Sequence, residues 1–316
     1  MSNNIYSKTV CLFGGTGFVG EAIVQKLVKK NFRLKIATRN PYQAQKLKVY
    51  GEAGQIELHK IDLNSHKDFE AFLKNADVCI NLVGILYETS YQKFYNLHYQ
   101  FPKKLSEMLS LICPNALLIH FSALGVKEAS DSLYIQSKHK GEEEVKSNFV
   151  NHVIIKPSII VGPKDNFFNM FAKIINILPI VPLVGSDAKF QPVCVTDVAE
   201  AVDYIICNNI KKSTFELAGN KVYTFKQLIE LLLKEIRKKR LIIHVPFSFG
   251  KFQAFFFQLL PKPILTIDQV KILEEGDNIL SGNEKTFKDL NIIPTNIENI
   301  LPSYLKVYRP KGQFTN

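Results

Sequence analysis

The sequence predicts an α/β chain: a doubly wound parallel sheet with a smaller α/β lobe interleaved towards the C-terminal end. Two observations carry this. Up to residue 160, short runs that are apolar nearly throughout alternate with helical stretches, the pattern of strands covered on both faces. A glycine-rich stretch, GGTGFVG (14–20), sits where the first strand gives way to the first helix.

The strands follow in order. TVCLF (9–13) leads into the helix-like FVGEAIVQKLVKK, and RLKIAT (33–38) precedes a helical stretch with Pro41 near its start, where a first-turn proline fits. QIELHKI (55–61), ADVCINLVG (76–84), NALLIHFSA (115–123) and HVIIKPSII (152–160) continue the series. After residue 163 the rhythm breaks. FFNMFAKIINILPIVPLVG (167–185) reads as a helix ended by proline-containing loops, FQPVCVTDVAEAVDYII (190–206) as strand, turn and helix, and TFKQLIELLLKEIRKK (224–239) as a helix. The expected domains are therefore residues 1–163, with 190–210 returning to them, and a smaller lobe from 164–189 and 211–316.

A hydrophobic content of 46% over 316 residues supports a sizeable core in one large domain or two lobes. Forty Lys+Arg against 29 Asp+Glu leaves a formal charge of +11, which favours an anionic cofactor or an acidic membrane surface. The basic residues are scattered without an RNA-binding motif, so no nucleic-acid partner is expected. Cys11, Cys79, Cys113, Cys194 and Cys207 form no Cys-x-x-Cys pair and read as reduced thiols. The seven histidines show no metal-ligand spacing, and no metal is expected. MSNNIYSKTV has no apolar signal core, and no run of about 18 apolar residues occurs. A cytoplasmic protein is expected, soluble or peripheral on the cytoplasmic face of the inner membrane.

Gly14, Gly17 and Gly20 let the backbone approach a pyrophosphate, whose charge the helix N-terminus stabilises; Thr16 and Phe18 complete that turn. These features predict a dinucleotide site of Rossmann type. A site for NAD usually carries a carboxylate at the end of the second strand, whereas KIATRN offers Arg39. A cation there accepts a 2′-phosphate, so NADP(H) is expected ahead of NAD(H). Asp62, with Leu63 beside it, has two readings: an adenine contact, or a cap for the helix that follows. Asn81, Val83 and Gly84 of NLVG lie along the ribose–nicotinamide side, and Lys156 and Pro157 complete the candidate cofactor set.

DSLYIQSKHKGEEEV (131–145) places Tyr134 and Lys138 four apart on a helix, hence on one face. Tyr42–Lys46 and Tyr99–Lys103 share that spacing, but only Tyr134 follows the fifth strand. GGTGFVG, Asp62-Leu63, N-x-x-G from Asn81, Ser122 and Y-x-x-S-K from Tyr134, in this order, resemble the short-chain dehydrogenase/reductase superfamily, in its extended or atypical branch. The resemblance implies that Tyr134 is the proton donor and acceptor, that Lys138 lowers its pKa and binds the nicotinamide ribose, and that Ser122 positions a substrate carbonyl. Two positions depart from the pattern. FSALG has Ser122 followed by Ala123 where two hydroxyls are usual, and His98 in YNLHYQF stands where an Asn is usual. Both weaken the proton relay more than the nucleotide site.

GPKDNFFNMFAKI, FQPVCVTDVAEAV, TFELAGNKVYTFKQLIELL and LTIDQVKILEEGDNI extend the resemblance, over roughly residues 8 to 300, to the nucleotide-binding accessory subunits of respiratory complex I in their bacterial-type form. This implies complex I subunits as partners and NADP(H) held structurally. Two other functions compete with it: an active reductase or epimerase on a small molecule, and an NADP(H)-sensing regulator.

In the smaller lobe, Phe252, Phe255, Phe256 and Leu259 recur at helical spacing within the apolar stretch 241–265, just after KEIRKKR (234–240). This stretch reads either as a contact with an anionic membrane or partner subunit, or as lobe core. Asp165, Asn166 and Gln191 are expected to line a substrate pocket.

Overall fold

The computed structural model describes residues 6–63, 66–260 and 263–310. The chain opens with β1 (Thr9–Phe13), α1 (Phe18–Leu27), β2 (Arg33–Thr38), α2 (Pro41–Ala44) and β3 (Ile56–Lys60). It continues through α3 (His66–Leu73), β4 (Val78–Asn81), α4 (Phe101–Ile112), β5 (Leu117–Phe121), α5 (Leu133–Asn148) and β6 (His152–Pro157). β1 and β2 have the bounds of their apolar runs, and the other strands lie inside theirs. Next come β7 (Ile160–Val161), α6 (Phe167–Ile177), β8 (Ile180–Val184), β9 (Lys189–Phe190), β10 (Val193–Cys194), α7 (Val195–Cys207) and β11 (Ser213–Leu217).

Seven strands form the main sheet in the order β11-β6-β5-β4-β1-β2-β3, each pair parallel. The order reverses at β1, between β4 and β2, and the carboxyl ends of the strands open a crevice there. One face buries Val10, Leu12, Ile119 and Ile155 with residues of α1 and α7. The other buries Cys11, Phe13, Cys79 and Leu118 with Phe69 and Phe72 of α3 and Leu105 of α4.

The smaller lobe adds β12 (Tyr223–Thr224), α8 (Phe225–Glu235), β13 (Leu241–Val245), α9 (Phe247–Phe257), α10 (Ile267–Glu275) and α11 (Ile297–Leu305). Its core gathers Phe168, Ile175, Leu183, Leu228, Leu232 and Leu301. Thr224 and Gln227 form a capping box at the start of α8.

Three expectations need correction. The helix from residue 167 ends at Ile177, before Pro179, as expected, but the proline-containing stretch after it is a strand, β8, pairing in parallel with β13, rather than a loop. Residues 213–217, assigned to the smaller lobe, form β11 and extend the main sheet beside β6, because Phe215 and Leu217 complete the core under α7. Phe287 and Leu290 return to that same core before α11 rejoins the smaller lobe, so the chain visits the main domain once more than the sequence pattern indicates. Among the described residues, no helix is long and apolar enough to cross a membrane.

Candidate functional site

The turn from β1 into α1 is built from residues that leave no room for side chains. Gly14 has φ +82°, and a Cβ there would lie 3.0 Å from the Leu82 carbonyl carbon. A Cβ on Gly20 would lie 2.4 Å from the Gly14 oxygen and 2.6 Å from the Gly15 Cα. Gly17 is different. It is exposed, has φ −79°, and stands as the N-cap of α1 without a side chain to offer the first-turn amides. Those amides open at the reversal point of the sheet, a geometry that fits a pyrophosphate. Phe18, flanking this turn opposite Thr16, lies against Gly162, where an added Cβ would come within 3.1 Å of its ring.

Arg39 is exposed just past the end of β2, with no ion pair among the described residues. Beyond β3, Lys104 of α4 donates to the Leu63 carbonyl at 2.8 Å. Burial lowers the pKa of Lys104, and the neighbouring Asp62 carboxylate acts against that shift. The reading of Asp62 as a helix cap involves residues 64–65, which lie outside the described residues.

α5 carries the Tyr–Lys pair, and its N-terminus is held by the smaller lobe. Asp268 of α10 accepts from the amides of Leu133 (2.7 Å) and Tyr134 (3.1 Å) and from the Ser132 hydroxyl (2.9 Å). Glu275, at the other end of α10, accepts from the amides of Asp131 (2.7 Å) and Ser132 (3.0 Å). Two carboxylates thus sit on the positive end of the α5 dipole. Asp268→Ala is expected to destabilise the protein by roughly 1–2 kcal/mol, the size of a lost helix cap, as read by urea denaturation. Asp268→Asn is expected to lower the Tyr134 pKa, read by NMR titration of ring-labelled tyrosine; an unmoved pKa would break the link between the two residues.

Tyr134 is half-buried, its ring edge-on to Phe94 (5.7 Å between centroids) and His98 (5.3 Å). Burial, and then the Asp268 carboxylate, push its phenol up to about 12. Lys138, one turn along the same face, is buried and donates to the Phe121 carbonyl at 3.0 Å. Burial brings its ammonium down to about 8, with Glu142 acting in the opposite direction. Gly84 admits it: a Cβ there would stand 3.3 Å from the Lys138 Nζ.

His98 lies in a π-helical turn, Tyr95–Gln100, that runs into α4. The Ile85 amide donates to its Nε2 (3.0 Å), so the ring proton sits on Nδ1 and is donated to the Ser137 hydroxyl (3.0 Å). Burial, then Lys138, hold the imidazole down to about 2, hence neutral. The Asn81 carbonyl oxygen accepts from the Val83 amide (3.0 Å), which leaves its NH2 to donate to the Nδ1 of His120 (3.1 Å). The His120 proton is therefore on Nε2, a buried N–H without an acceptor among the described residues.

Ser122 points elsewhere. Its hydroxyl donates to Glu142 of α5, and the Lys156 ammonium reaches that same carboxylate at 3.4 Å and the Val126 carbonyl at 3.3 Å. Ser122 and Lys156 are thereby joined to each other through Glu142. The Pro157 carbonyl accepts from the Leu124 amide (2.9 Å). The pocket expected from Asp165, Asn166 and Gln191 needs correction at two positions; Asn166 is exposed, but the other two are committed within the fold. Asp165 is buried as a structural cap, accepting from the amides of Phe168 (2.7 Å) and Gly162 (3.2 Å) and from the Tyr304 hydroxyl (2.5 Å). Gln191 bridges the Gly219 carbonyl (2.6 Å) and the Leu280 amide (3.2 Å). Asp268, Glu275, Glu142 and His120 escaped the sequence reading. The first three look like ordinary acids on amphipathic helices, and the one available signal was a histidine inside the apolar run LLIHF.

The residues present fit a dinucleotide. An uncovered helix N-terminus would receive a pyrophosphate, Arg39 would lie towards the adenosine, and Tyr134 and Lys138 would offer a phenol and an ammonium to a ribose. A nicotinamide held there would supply hydride exchange, and these side chains would bind and orient it.

Comparison with known proteins places this geometry. A model described as the NmrA-like family matches residues 6–97. The mitochondrial NADH-ubiquinone oxidoreductase 40 kDa subunit of Neurospora crassa is 30% identical over 308 residues, spanning 97% of this chain and 81% of its own length. The chain belongs to the family of that 40 kDa subunit. A second member, the mitochondrial NADH dehydrogenase [ubiquinone] 1 alpha subcomplex subunit 9 of Arabidopsis thaliana, is 29% identical, covering 95% of this chain and 78% of its own. This chain shares its fold with solved dehydratase and epimerase structures. The dTDP-glucose 4,6-dehydratase of Bacillus anthracis str. Ames, solved in complex with NAD, superposes with a TM-score of 0.68 at 16% identity over 96% of each chain.

Proposed function

We propose that this protein is an accessory subunit of a respiratory NADH:ubiquinone oxidoreductase that holds NADP(H) without measurable turnover. Its relatives support the first half. The observation that carries the second is the commitment of the Ser122 hydroxyl to Glu142, with Ala123 next in the chain. Tyr134 is thereby left without the hydroxyl that would position a substrate carbonyl, and loss of one such donor costs on the order of a hundredfold in rate. The phenol is also shifted up, to about 12, away from the range in which it exchanges protons readily near neutral pH. Holding a nucleotide needs neither property. Native purification from membranes tests the proposal: the protein should comigrate with the oxidoreductase and carry NADPH. Migration alone and without nucleotide would overturn it.

Arg39 supports NADP(H) over NAD(H). NADPH is expected to bind at least about tenfold tighter than NADH, roughly 1.4 kcal/mol, in calorimetric titrations at fixed salt. Arg39→Ala should remove most of that margin. Equal affinity of the unaltered protein for the two cofactors would sink the assignment.

The retained Tyr134–Lys138 pair favours a second reading, an active reductase or epimerase. Steady turnover that Tyr134→Phe abolishes would establish it.

A further inference from the structure

α9 turns its smallest residues inward and its largest outward. Gly250 and Ala254 are the residues it buries, and a Cβ on Gly250 would lie 2.6 Å from the Val184 Cγ1. Phe249, Phe252, Phe255 and Phe256 are 52, 60, 53 and 53% exposed. Their rings touch: Phe252 and Phe256 are 5.2 Å apart between centroids, Phe255 and Phe256 5.4 Å. Leu259 and Leu260, just past the helix, are exposed as well, as are Leu241 and Ile243 on the strand that leads into it. A continuous aromatic face of this kind is costly to leave in water and marks a contact. The sequence left open whether this stretch was core; Phe247 packs against the core, but Phe252, Phe255 and Phe256 do not.

The charge of the segment that carries the face has one sign. From Ile236 to Ile267 the chain has no Asp or Glu, while Arg237, Lys238, Lys239, Arg240, Lys251 and Lys262 are basic. Some of these are committed within the lobe. Lys251 pairs with Glu274 at 2.6 Å, and Arg240 donates to the Ile175 carbonyl at 3.1 Å. Lys238 and Lys239 carry no ion pair among the described residues. The face is a single helix presenting rings, with few polar groups to specify a protein partner. A fluid apolar phase under anionic headgroups matches both its form and its charge.

We infer that α9 lies in the interface of an anionic lipid bilayer, its phenylalanines among the acyl chains and Lys238 and Lys239 at the headgroups. This rests on the exposed face and its charge, independently of the nucleotide and of the subunit assignment. The full chain should cosediment with vesicles of phosphatidylglycerol in phosphatidylcholine and far less with phosphatidylcholine alone, and added salt should weaken the binding. Phe252→Ser with Phe256→Ser should weaken it at least about thirtyfold. Lys238→Gln with Lys239→Gln should remove most of the preference for the anionic vesicles, about tenfold or more. Both pairs are surface changes, so circular dichroism and melting temperature should match the unaltered protein. Three results would each overturn the inference: no binding to either vesicle, binding that the Phe pair leaves unchanged, or a dimer in sedimentation velocity that the Phe pair converts to monomer.

Discussion

Gly17→Asp should abolish nucleotide binding while leaving the empty protein as stable as before, or more so. The backbone at Gly17, φ −79° and ψ 177°, accepts any L-residue, and an added Cβ would meet only the Gly14 oxygen, at 3.3 Å. Gly17 is also the N-cap of α1, a position where aspartate is among the best residues and contributes about 1 kcal/mol. Its carboxylate would accept from the very amides that a pyrophosphate needs, and would face that pyrophosphate with like charge. The expected loss is on the order of 4 kcal/mol, about a thousandfold, from displaced charge-assisted hydrogen bonds and repulsion. Calorimetric titration with NADPH and a melting curve together check it. Affinity within about tenfold of the unaltered protein would show that the glycine turn is not the nucleotide site. Tyr134→Phe is the contrast. It should change NADPH affinity by no more than about 1 kcal/mol, one net hydrogen bond. In a deletion strain, Gly17→Asp should fail to complement and Tyr134→Phe should succeed. Should Tyr134→Phe fail equally while folding and binding NADPH, the tyrosine is a working acid/base.

Gly141→Ala should destabilise the protein by on the order of 3 kcal/mol, at the upper end for overpacking. Gly141 is where α5 meets the π-helical turn Tyr95–Gln100, and a Cβ there would lie 2.0 Å from the His98 carbonyl oxygen. The obstacle is backbone, so no rotamer change relieves it; helix and turn must separate. Separation also stretches the His98–Ser137 hydrogen bond, now 3.0 Å. Denaturant unfolding reads the loss, and an unchanged midpoint would mean that the two elements yield far more easily than their packing indicates.

Much of the main sheet is written in local pattern. β1 and β2 announce themselves as apolar runs with polar edges, and Gly14 and Gly20 follow from the positive φ and the close backbone approach that the turn imposes. Tyr134 stood apart from two equivalent spacings through its position after β5. What was not legible depends on distant partners. Two-residue strands such as β7, β9 and β10 carry no periodicity. β11, STFEL, alternates polar and apolar residues like many short strands, and only its pairing with β6 assigns it to the main sheet. The face of α9 that packs was hidden for a related reason: glycine and alanine give almost no hydropathic signal, so the phenylalanines set the pattern while Gly250 and Ala254 make the contact. Ser122 was read from its place after β5, but its direction depends on Glu142, twenty residues on.

The cap on α5 has a consequence for how the chain is made. The Asp268 and Glu275 contacts join residues 135 and 144 positions apart, and β11 covers β6 only once residues 213–217 exist. A ribosome that has released the first 160 residues has therefore supplied six of the seven strands, an open β6 edge, and the Tyr–Lys helix without its clamp. Such an edge is a template for pairing with other chains until its own strand arrives. Nascent chains halted between β6 and β11 should accordingly recruit chaperones, and release from them should track the emergence of β11 rather than completion of the nucleotide turn.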